Sequence, residues 1–286
     1  MTIAVGSKYP WGSFSQIFPA GMRMAEAVIM LSDTRFSKKV RGKHEKVTDR
    51  GTKLFIIGND CCMVYAGASM IAEICVDELR RKLSEQQQPN SATSLSIAQQ
   101  TFKEVYEREV ASMSLVARDT PLYILVGACN NQGRAELYHF SYSNRFLPEM
   151  VTGMKALGWP ETITEFNNLL NTLADKQLGN KLSFRHQQPE ISPASWLPVV
   201  LFQAEEAAMA FAGTLNRIIV TGCDKTIGGM IQCAIITKKG ISLPSISYST
   251  KPASPSPEWR RVTARPDELM TVTDVSGIIE SRTLAD

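Results

Sequence analysis

The first residues of the chain carry the clearest signal for chemistry, because Thr2 directly follows Met1. Threonine is small enough to allow removal of a preceding initiator methionine, and this removal would leave a hydroxyl and a free α-amine on one residue. An α-amine titrates at about 7.7–8.0, so part of it is neutral at about pH 7 and accepts the hydroxyl proton. Threonine paired with its own terminal amine is a known form of activated nucleophile. The sequence therefore offers a candidate for acyl transfer at Thr2.

A nucleophile of this kind needs help from the surrounding fold. A neighbouring ammonium stabilises the alkoxide and lowers the pKa of the amine, a carboxylate holds that ammonium, and a backbone N–H at a turn binds the oxyanion. Other chemistries with their own signatures find no support, because the chain has no GxGxxG, Walker, HExxH or GxSxG motif. The three histidines lie far apart in the sequence, so we predict no metal and no organic cofactor.

The order of apolar patterns predicts the elements that must position these groups. Blocks of strands alternate with blocks of helices, which favours an α+β fold over a doubly wound parallel sheet. Two antiparallel sheets packed face to face, with helix pairs outside, would bury every apolar stripe. A polar loop is predicted over 34–52. The predicted strands are 2–8, 25–33, 53–58, 61–66, 121–129, 134–142, 230–237 and 241–248, and the predicted helices are 68–85, 94–113, 162–175 and 204–215.

Five segments, in the right order, resemble the proteasome β-type family of N-terminal-nucleophile (Ntn) hydrolases, including its bacterial relatives. They look like the family's mature N-terminal strand, its aliphatic-x-Asp-Ser/Thr-Arg strand end, its Lys-hydrophobic to Ala-Gly segment, its Glu-Glu-Ala helix and its Asp-x-x-x-Gly-Gly turn. The resemblance implies a four-layer αββα sandwich, the Ntn-hydrolase fold. The segments are Thr2–Lys8, Leu31–Arg35, Lys53–Ser69, Ala204–Ala208 and Cys223–Gly229.

The resemblance also implies a role for each matching residue. Thr2 would be the nucleophile and, through its amine, the base. Lys53 would supply the positive charge and Asp33 would hold Lys53. Gly67 would donate its N–H to the oxyanion, and Asp224 would support the α-amine. Ser37 would hold the substrate backbone. Four residues would line the pocket for the side chain before the cut bond, and their aromatic rings imply a preference for apolar groups. They are Phe36, Phe55, Tyr65 and Ser69.

The implied activity is that of a threonine-type endopeptidase acting on peptides or unfolded proteins. The family assembles rings, so a homo-oligomer is implied, and ring peptidases usually act with an ATP-dependent unfoldase. An alternative stays open, because the family's Gly-Ser-Gly segment has its nearest match at Gly153–Lys155, where the serine is missing. If the strand alignment slips by one residue, Met1 takes the position of the nucleophile, and the protein would be an inactive ring subunit or interaction module. A small-amide hydrolase on the same fold is a third hypothesis.

Composition sets the class of protein and the extent of the fold. The chain has 286 residues, of which 44% are apolar and 21% charged, so it can bury a core without a disulfide or metal. Its net charge is +3 with both signs interspersed, which gives no electrostatic case for nucleic acid. We expect a cytoplasmic protein without a membrane segment or signal peptide. We predict one domain over 1–248, with insertions at about 10–21 and 159–202, and an extended or mobile tail over 249–286.

Overall fold

The structure is a computed structural model that describes eleven stretches of the chain. They are 3–9, 26–40, 43–57, 61–85, 91–113, 121–130, 132–170, 196–221, 226–247, 258–263 and 271–274.

The larger sheet has seven strands, each antiparallel to its neighbours. They are β1 (Ala4–Tyr9), β2 (Ala27–Asp33), β10 (Met154–Leu157), β11 (Met230–Thr237), β12 (Gly240–Ser247), β13 (Glu258–Thr263) and β14 (Thr271–Asp274). Their order is β10-β1-β2-β11-β12-β13, and β14 pairs with β11. All seven residues of β2 are buried. Its first five residues, Ala27–Leu31, form a continuous apolar run, as expected for a strand in the middle of a sheet.

The second sheet has five antiparallel strands. Two further strands form a separate hairpin. The five strands are β5 (Leu54–Ile56), β6 (Cys61–Gly67), β7 (Leu122–Cys129), β8 (Ala135–Ser141) and β9 (Glu149–Met150), in that order. The hairpin consists of β3 (Phe36–Val40) and β4 (Lys43–Thr48). The predicted polar loop over 34–52 is therefore wrong in this part, because its polar residues form a two-stranded ladder.

Four helical segments accompany the sheets. They are α1 (Ser69–Ser84), α2 (Ser91–Ser112), α3 (helical residues 160–170) and α4 (Trp196–Thr221). In α1 the residues Ile71, Cys75 and Leu79 repeat every four positions and are buried, as expected for a helix with one apolar stripe. None of the helices in the described stretches has the length and apolar character of a segment that crosses a bilayer.

Three buried clusters show how the elements pack. One lies between the sheets and includes Val28 and Met30 from β2 with Val64 and Leu125 from the second sheet. A second joins the outer face of the larger sheet to α3 and α4, for example through Phe211. The third packs α1 and α2 on the outer face of the second sheet. The sheets therefore face each other, each with helices on its other side.

The prediction of an α+β protein with antiparallel sheets is confirmed. Several boundaries differ from those we predicted. The segment predicted as an insertion begins with α3, whose Phe166 is fully buried in the core, and α4 starts eight residues earlier than expected, at Trp196 rather than Ala204. Within the predicted tail, β13 and β14 pair with β12 and β11, so these two stretches are extended and joined to the larger sheet.

Candidate active site

A buried ion pair links the end of β2 to the residue that precedes β5. The ammonium of Lys53 lies 3.0 Å from Oδ1 of Asp33, and both side chains have no solvent exposure. Moving a charged group from water into a protein core costs on the order of several kcal/mol per ion. Only strong partners with good geometry offset this cost. A fully buried ion pair therefore either has partners that offset its desolvation cost or is retained because the protein needs it for function.

Four N–H donors bind the two carboxylate oxygens of Asp33 and offset part of the cost of its burial. Oδ1 accepts the Ile3 N–H at 3.2 Å in addition to Lys53. Oδ2 accepts the backbone N–H groups of Arg35 at 3.2 Å and Gly228 at 3.1 Å. Burial raises the pKa of the Asp33 carboxyl above its ordinary value, and Lys53 and the backbone donors oppose this rise. The carboxylate thus ties together β1, the β2–β3 connection and the turn before β11.

Lys53 is held by its head and by its backbone. Its ammonium also donates to the Arg35 carbonyl and lies 5.3 Å from the centre of the Phe36 ring. Oε1 of Gln232, on β11, accepts the backbone N–H of Lys53 at 2.9 Å and that of Leu54 at 3.1 Å. Burial lowers the pKa of the Lys53 ammonium, and the charge of Asp33 opposes this effect. A lysine with a lowered pKa and a fixed position is suited to act on a neighbouring titratable group.

The two glycines of the Asp-x-x-x-Gly-Gly segment allow this close packing. A Cβ on Gly228 would lie 2.3 Å from Cζ of Arg35, and one on Gly229 would lie 2.4 Å from the Asp49 carbonyl oxygen. Gly229 also has φ +79°, which disfavours any other residue. Next to them, the Thr34 hydroxyl donates to the Asp49 carbonyl at 2.5 Å and accepts the Met230 N–H at 2.6 Å. The turn before β11 is thereby locked onto the residues that follow β2.

A second ion pair, which is partly buried, forms one flank of the site. Nε of Arg35 donates to Oδ1 of Asp49 at 2.6 Å, and Lys46 binds the other oxygen at 3.0 Å. Arg35 also donates to the Ile227 carbonyl at 3.1 Å. Burial acts to raise the pKa of Asp49, but the hydrogen bonds from Arg35 and Lys46 outweigh it and hold the pKa below its usual value.

The predicted substrate residues fall into different surroundings. Phe36 contacts the Lys53 ammonium, whereas Phe55 and Tyr65 stack on each other at 6.2 Å. Tyr65 is fully buried in the cluster between the second sheet and α1 and α2, and not on an open surface. Ser37 lies on β3 opposite Lys46, and Ser69 is the first residue of α1.

Gly67 lies where β6 ends, close in register to Lys53. The pairing of Leu54 with Val64, extended by one residue, brings Lys53 opposite Tyr65, and the Tyr65 hydroxyl donates to the Thr52 carbonyl at 3.5 Å. Gly67 follows two residues later with φ +113°, and a Cβ there would lie 2.0 Å from the Pro121 carbonyl oxygen. Only glycine fits this turn. The predicted residues Thr2 and Asp224 lie outside the described residues.

One contributor to the site escaped the sequence analysis. It is Gln232, and its signal was a single amide within the apolar run of β11. Gly153, which begins the nearest match to the family's Gly-Ser-Gly segment, accepts the Lys8 N–H at the far end of β1 from Ile3.

No cluster of three or more His, Cys, Asp or Glu residues that could hold a metal occurs within the described stretches. The site is built from an ion pair, backbone N–H groups and glycine turns. Such a site can stabilise charge and tune the pKa of an adjacent group, but the residue that would react must come from elsewhere in the chain.

Comparisons with known proteins reveal a likeness in fold. No protein-family profile matches the chain, and no curated protein matches it in sequence. Among solved structures, the chain resembles a subunit of the helical assembly of the Anbu complex from Pseudomonas aeruginosa, with a TM-score of 0.51 and 15% identity. The match covers 92% of this chain and 87% of that one. At this identity the likeness concerns the fold, and it extends over nearly the whole chain.

Proposed function

We propose that this chain is a proteasome-like threonine peptidase of the Ntn-hydrolase fold. In this proposal, removal of Met1 exposes Thr2, whose hydroxyl attacks the carbonyl of a peptide bond. The observation that carries the proposal is the buried Lys53–Asp33 pair, because Asp33 also binds the N–H of Ile3, the residue that follows Thr2. The likeness in fold to the Anbu subunit and the order of the five matching segments support the same assignment.

The first half-reaction forms an ester and releases an amine. The Thr2 oxygen bonds to the peptide carbonyl carbon while its proton passes to the Thr2 α-amine. The carbonyl oxygen becomes an oxyanion that accepts the Gly67 N–H. When the intermediate collapses, the C–N bond breaks and the leaving nitrogen takes the proton back from the α-ammonium. Lys53 has bonds from its ammonium to Asp33 and the Arg35 carbonyl among the described residues, which leaves one N–H for the nucleophile.

The second half-reaction uses water and regenerates Thr2. The α-amine takes a proton from water as the water oxygen bonds to the ester carbon. The C–O bond to Thr2 then breaks, and the α-ammonium returns that proton to the Thr2 oxygen. The positive charge of Lys53 keeps the pKa of the α-amine low, so that the amine is neutral and acts as a base near pH 7. Asp224 would support the amine, and Phe36, which lies against the Lys53 ammonium, would meet the substrate. Tyr65 is fully buried and would not contact the substrate.

Assembly and setting complete the proposal. We infer that copies of the chain form a homo-oligomeric ring in the cytoplasm, with the sites facing an inner chamber, and that an ATP-dependent unfoldase delivers protein substrates. The Anbu neighbour forms a helical assembly, which supports self-association of this fold. No metal or organic cofactor enters the reaction as proposed.

The experiment combines intact mass with peptide hydrolysis. Mass spectrometry of the purified protein is expected to show loss of Met1. Thr2→Ala should lower turnover of fluorogenic peptides by more than about 10³-fold, because it removes the only attacking oxygen. Thr2→Ser is the matched control and should keep measurable activity, since it retains the hydroxyl and the amine. A terminus that retains Met1, or equal turnover in wild type and Thr2→Ala, would contradict the proposal.

A second candidate is a catalytically inactive ring subunit with the same fold. The observation that favours it is that Gly153–Lys155, the nearest match to the family's Gly-Ser-Gly segment, lacks the serine, and that Gly153 lies beside Lys8 rather than beside Ile3. One support for the α-amine is then missing. Retention of Met1 together with ring formation in solution would select this candidate.

A further inference from the structure

A pocket of about 640 Å³ runs along the outer edge of β10. One wall is α3, with Ile163 and Asn167, and the other is the second sheet, with Tyr123 and His139. Between these walls, all of β10 and the following Gly158 line the pocket. Pockets that hold small ligands have volumes of about 300–1,000 Å³. This one therefore has room for a short ligand that lies along the strand.

The backbone groups of β10 point alternately toward β1 and away from it. In an antiparallel pair, every second residue turns both its N–H and its C=O to the partner strand. Gly153 is such a residue, because its carbonyl accepts the Lys8 N–H at 2.9 Å. The register continues without a shift along β10. Lys155 and Leu157, at the same parity as Gly153, therefore also face β1.

Met154 and Ala156 have the opposite parity, so their N–H and C=O groups point into the pocket that both residues line. Both residues are partly exposed. Within the described part of the chain, β10 has β1 as its one partner strand, and no backbone hydrogen bond joins these outward groups to another residue. Two N–H and two C=O groups at every second residue are the pattern to which an added strand binds.

The shape of the surroundings determines what can add to this edge. β10 is only four residues long, and α3 and the second sheet rise on its two sides as the walls of the pocket. The edge of a folded second copy carries its own sheet and helices, which would collide with these walls. A peptide in extended conformation is a single strand and enters between them.

The side chains of an added strand meet an apolar face. Residues directly opposite each other in an antiparallel pair have their side chains on the same face of the sheet. A residue opposite Ala156 thus turns its side chain to the face on which Met154 and Ala156 pack toward α3 and α4. Ile163 lines the pocket from α3. An apolar side chain suits this face, because it removes apolar surface from water.

The charges at the pocket do not favour a charged ligand. Lys155 is the one Lys, Arg, Asp or Glu among the described lining residues. A carboxylate lies behind the opposite wall, since Oε2 of Glu149 is 3.0 Å from Nδ1 of His139. The two opposite charges offset each other's field in the pocket. A charged side chain would lose its water here without gaining an unopposed counter-charge.

We propose that the outward backbone groups of Met154 and Ala156 bind a short stretch of extended, uncharged peptide, which adds antiparallel to β10 and places an apolar side chain against Ile163. The inference deepens the proposed function, on which it rests for the choice of a peptide as ligand. It makes this edge a subsite that holds part of the substrate chain apart from the residues that react.

The spacing of the strands makes the subsite compatible with a reaction at Thr2. Leu157 pairs with Ala4, which is two residues from Thr2. Neighbouring strands lie about 4.8 Å apart, so a strand added to β10 lies about 10 Å from β1. An extended chain covers about 3.3 Å per residue. About three residues thus join the subsite to the region of Thr2.

Hydrogen exchange of single amides tests the added strand directly. The protein is the full chain with Thr2→Ala, so that no peptide is cut, and the probe is Ac-Thr-Leu-Thr-Leu-Thr-NHMe. Without peptide, the amides of Met154 and Ala156 should exchange at least about tenfold faster than those of Lys155 and Leu157, which donate to β1. Saturating peptide should close this gap. A gap that persists would overturn the inference. So would a gap that closes without peptide as protein concentration rises, because a second copy would then occupy the edge.

Methylation of the peptide backbone separates strand addition from simple apolar adhesion. With Leu opposite Ala156, the Leu nitrogens face β10 and the Thr nitrogens face away. Calorimetry should show at least about tenfold weaker binding when both Leu nitrogens are methylated, and a change within about threefold when two Thr nitrogens are methylated. Equal affinity of the two analogues would overturn the inference. This comparison leaves the pocket unmutated, so it does not depend on the folding of a pocket variant.

Substitutions along the groove test the protein side of the contact. Ala156→Pro removes an outward N–H without taking a bond from β1, as an edge strand allows, and should weaken binding at least about tenfold, whereas Ala156→Ser keeps the N–H and should stay within about threefold. Ile163→Ser should weaken binding about fivefold, and Val220→Ala, on the exposed side of α4, should leave it unchanged. Full binding by a folded Ala156→Pro variant would contradict the proposal.

The subsite and the peptidase reaction fail separately. Hydrolysis by a wild-type chain whose β10 amides stay unprotected would overturn the subsite alone. Protection of these amides in a chain that hydrolyses no peptide would support the subsite and overturn only the proposed reaction.

Discussion

Ile3 and Asp33 bind each other twice, through the Ile3 N–H to Oδ1 of Asp33 at 3.2 Å and through the Asp33 N–H to the Ile3 carbonyl at 3.4 Å. The first bond uses the same oxygen that holds Lys53. The beginning of the described chain is therefore fixed to the carboxylate that fixes the lysine. This relationship joins a strand-end aspartate, a buried lysine and the chain start in one arrangement, and the predictions below test its parts.

Asp33→Asn should destabilise the protein strongly. An amide offers one acceptor and two donors, so its NH₂ group would face the backbone N–H groups of Arg35 and Gly228, and Lys53 would lose its counter-charge. Breaking a buried ion pair from one side costs about 3–5 kcal/mol. Urea unfolding followed by circular dichroism measures the loss. Glu85→Gln, in an exposed ion pair with Arg81, is the control and should change stability little. Equal stability of Asp33→Asn and wild type would contradict the description of this site.

Lys53→Met should abolish peptide hydrolysis. It also leaves the buried Asp33 carboxylate without its counter-charge, so circular dichroism must first show that the variant is folded at the assay temperature. The methionine fills similar space but cannot stabilise an alkoxide or lower the pKa of an amine. We expect turnover to fall by at least about 10³-fold on fluorogenic peptides. Lys8→Met, on β1, is the matched control and should retain activity. Turnover in Lys53→Met close to that of wild type would remove this lysine from the reaction.

Gln232 positions Lys53 through two backbone bonds, and its loss should be felt in both stability and activity. Gln232→Leu leaves the N–H groups of Lys53 and Leu54 buried without an acceptor, which costs about 1–3 kcal/mol for each group. Gln232→Glu keeps the acceptor oxygen and should restore part of both. A positioning role predicts that the pH profile of hydrolysis shifts in Gln232→Leu, because the ammonium moves relative to its target. An unchanged profile with reduced stability would mean a purely structural role.

The sequence predicted the central strands and the partners of the ion pair. It did not predict the short or polar strands, whose structure depends on pairing with neighbouring strands. Asp33 and Lys53 were predicted from the resemblance to the proteasome β-type family, whose strand-end aspartate and lysine they match. The hairpin of β3 and β4 was missed because it is polar on both faces and lacks the alternation that marks a half-buried strand. β10 was missed because Met-Lys-Ala-Leu has no β-branched residue, and only its pairing with β1 makes it a strand.

Long-range contacts explain the remaining differences. That Gln232 reaches the backbone of Lys53 across 179 residues follows from the packing of two sheets, which no local pattern encodes. The full burial of Tyr65 has the same origin, because its side chain points toward α1 and α2 and away from the space between the sheets.

Gly229 should tolerate substitution far less well than Gly153. Gly229→Ala would bring a methyl group to 2.4 Å from the Asp49 carbonyl oxygen and from the Thr34 hydroxyl, at a backbone with φ +79°. Backbone atoms cannot move aside without breaking the bonds that lock this turn, so we expect a loss of about 2–4 kcal/mol. Gly153→Ala is the control, because nothing lies within 4 Å of its added methyl group. Thermal unfolding of both variants provides the comparison, and equal melting temperatures would contradict the packing described here.

The ion pair of Arg35 and Asp49 should make stability depend on pH in the acid range. The pKa of Asp49 is lower in the folded protein than its ordinary value of 3.8, so the folded state holds the proton less tightly than the unfolded chain. The stabilisation is therefore complete above about pH 5 and disappears as the pH falls through the folded pKa. Asp49→Asn should cost about 1 kcal/mol at pH 7 and almost nothing once the pH has fallen below the folded pKa of Asp49. Unfolding curves of wild type and Asp49→Asn at four pH values measure the difference. A gap between them that stays constant, or that widens on acidification, would contradict the assignment of Asp49 as the charged partner of Arg35.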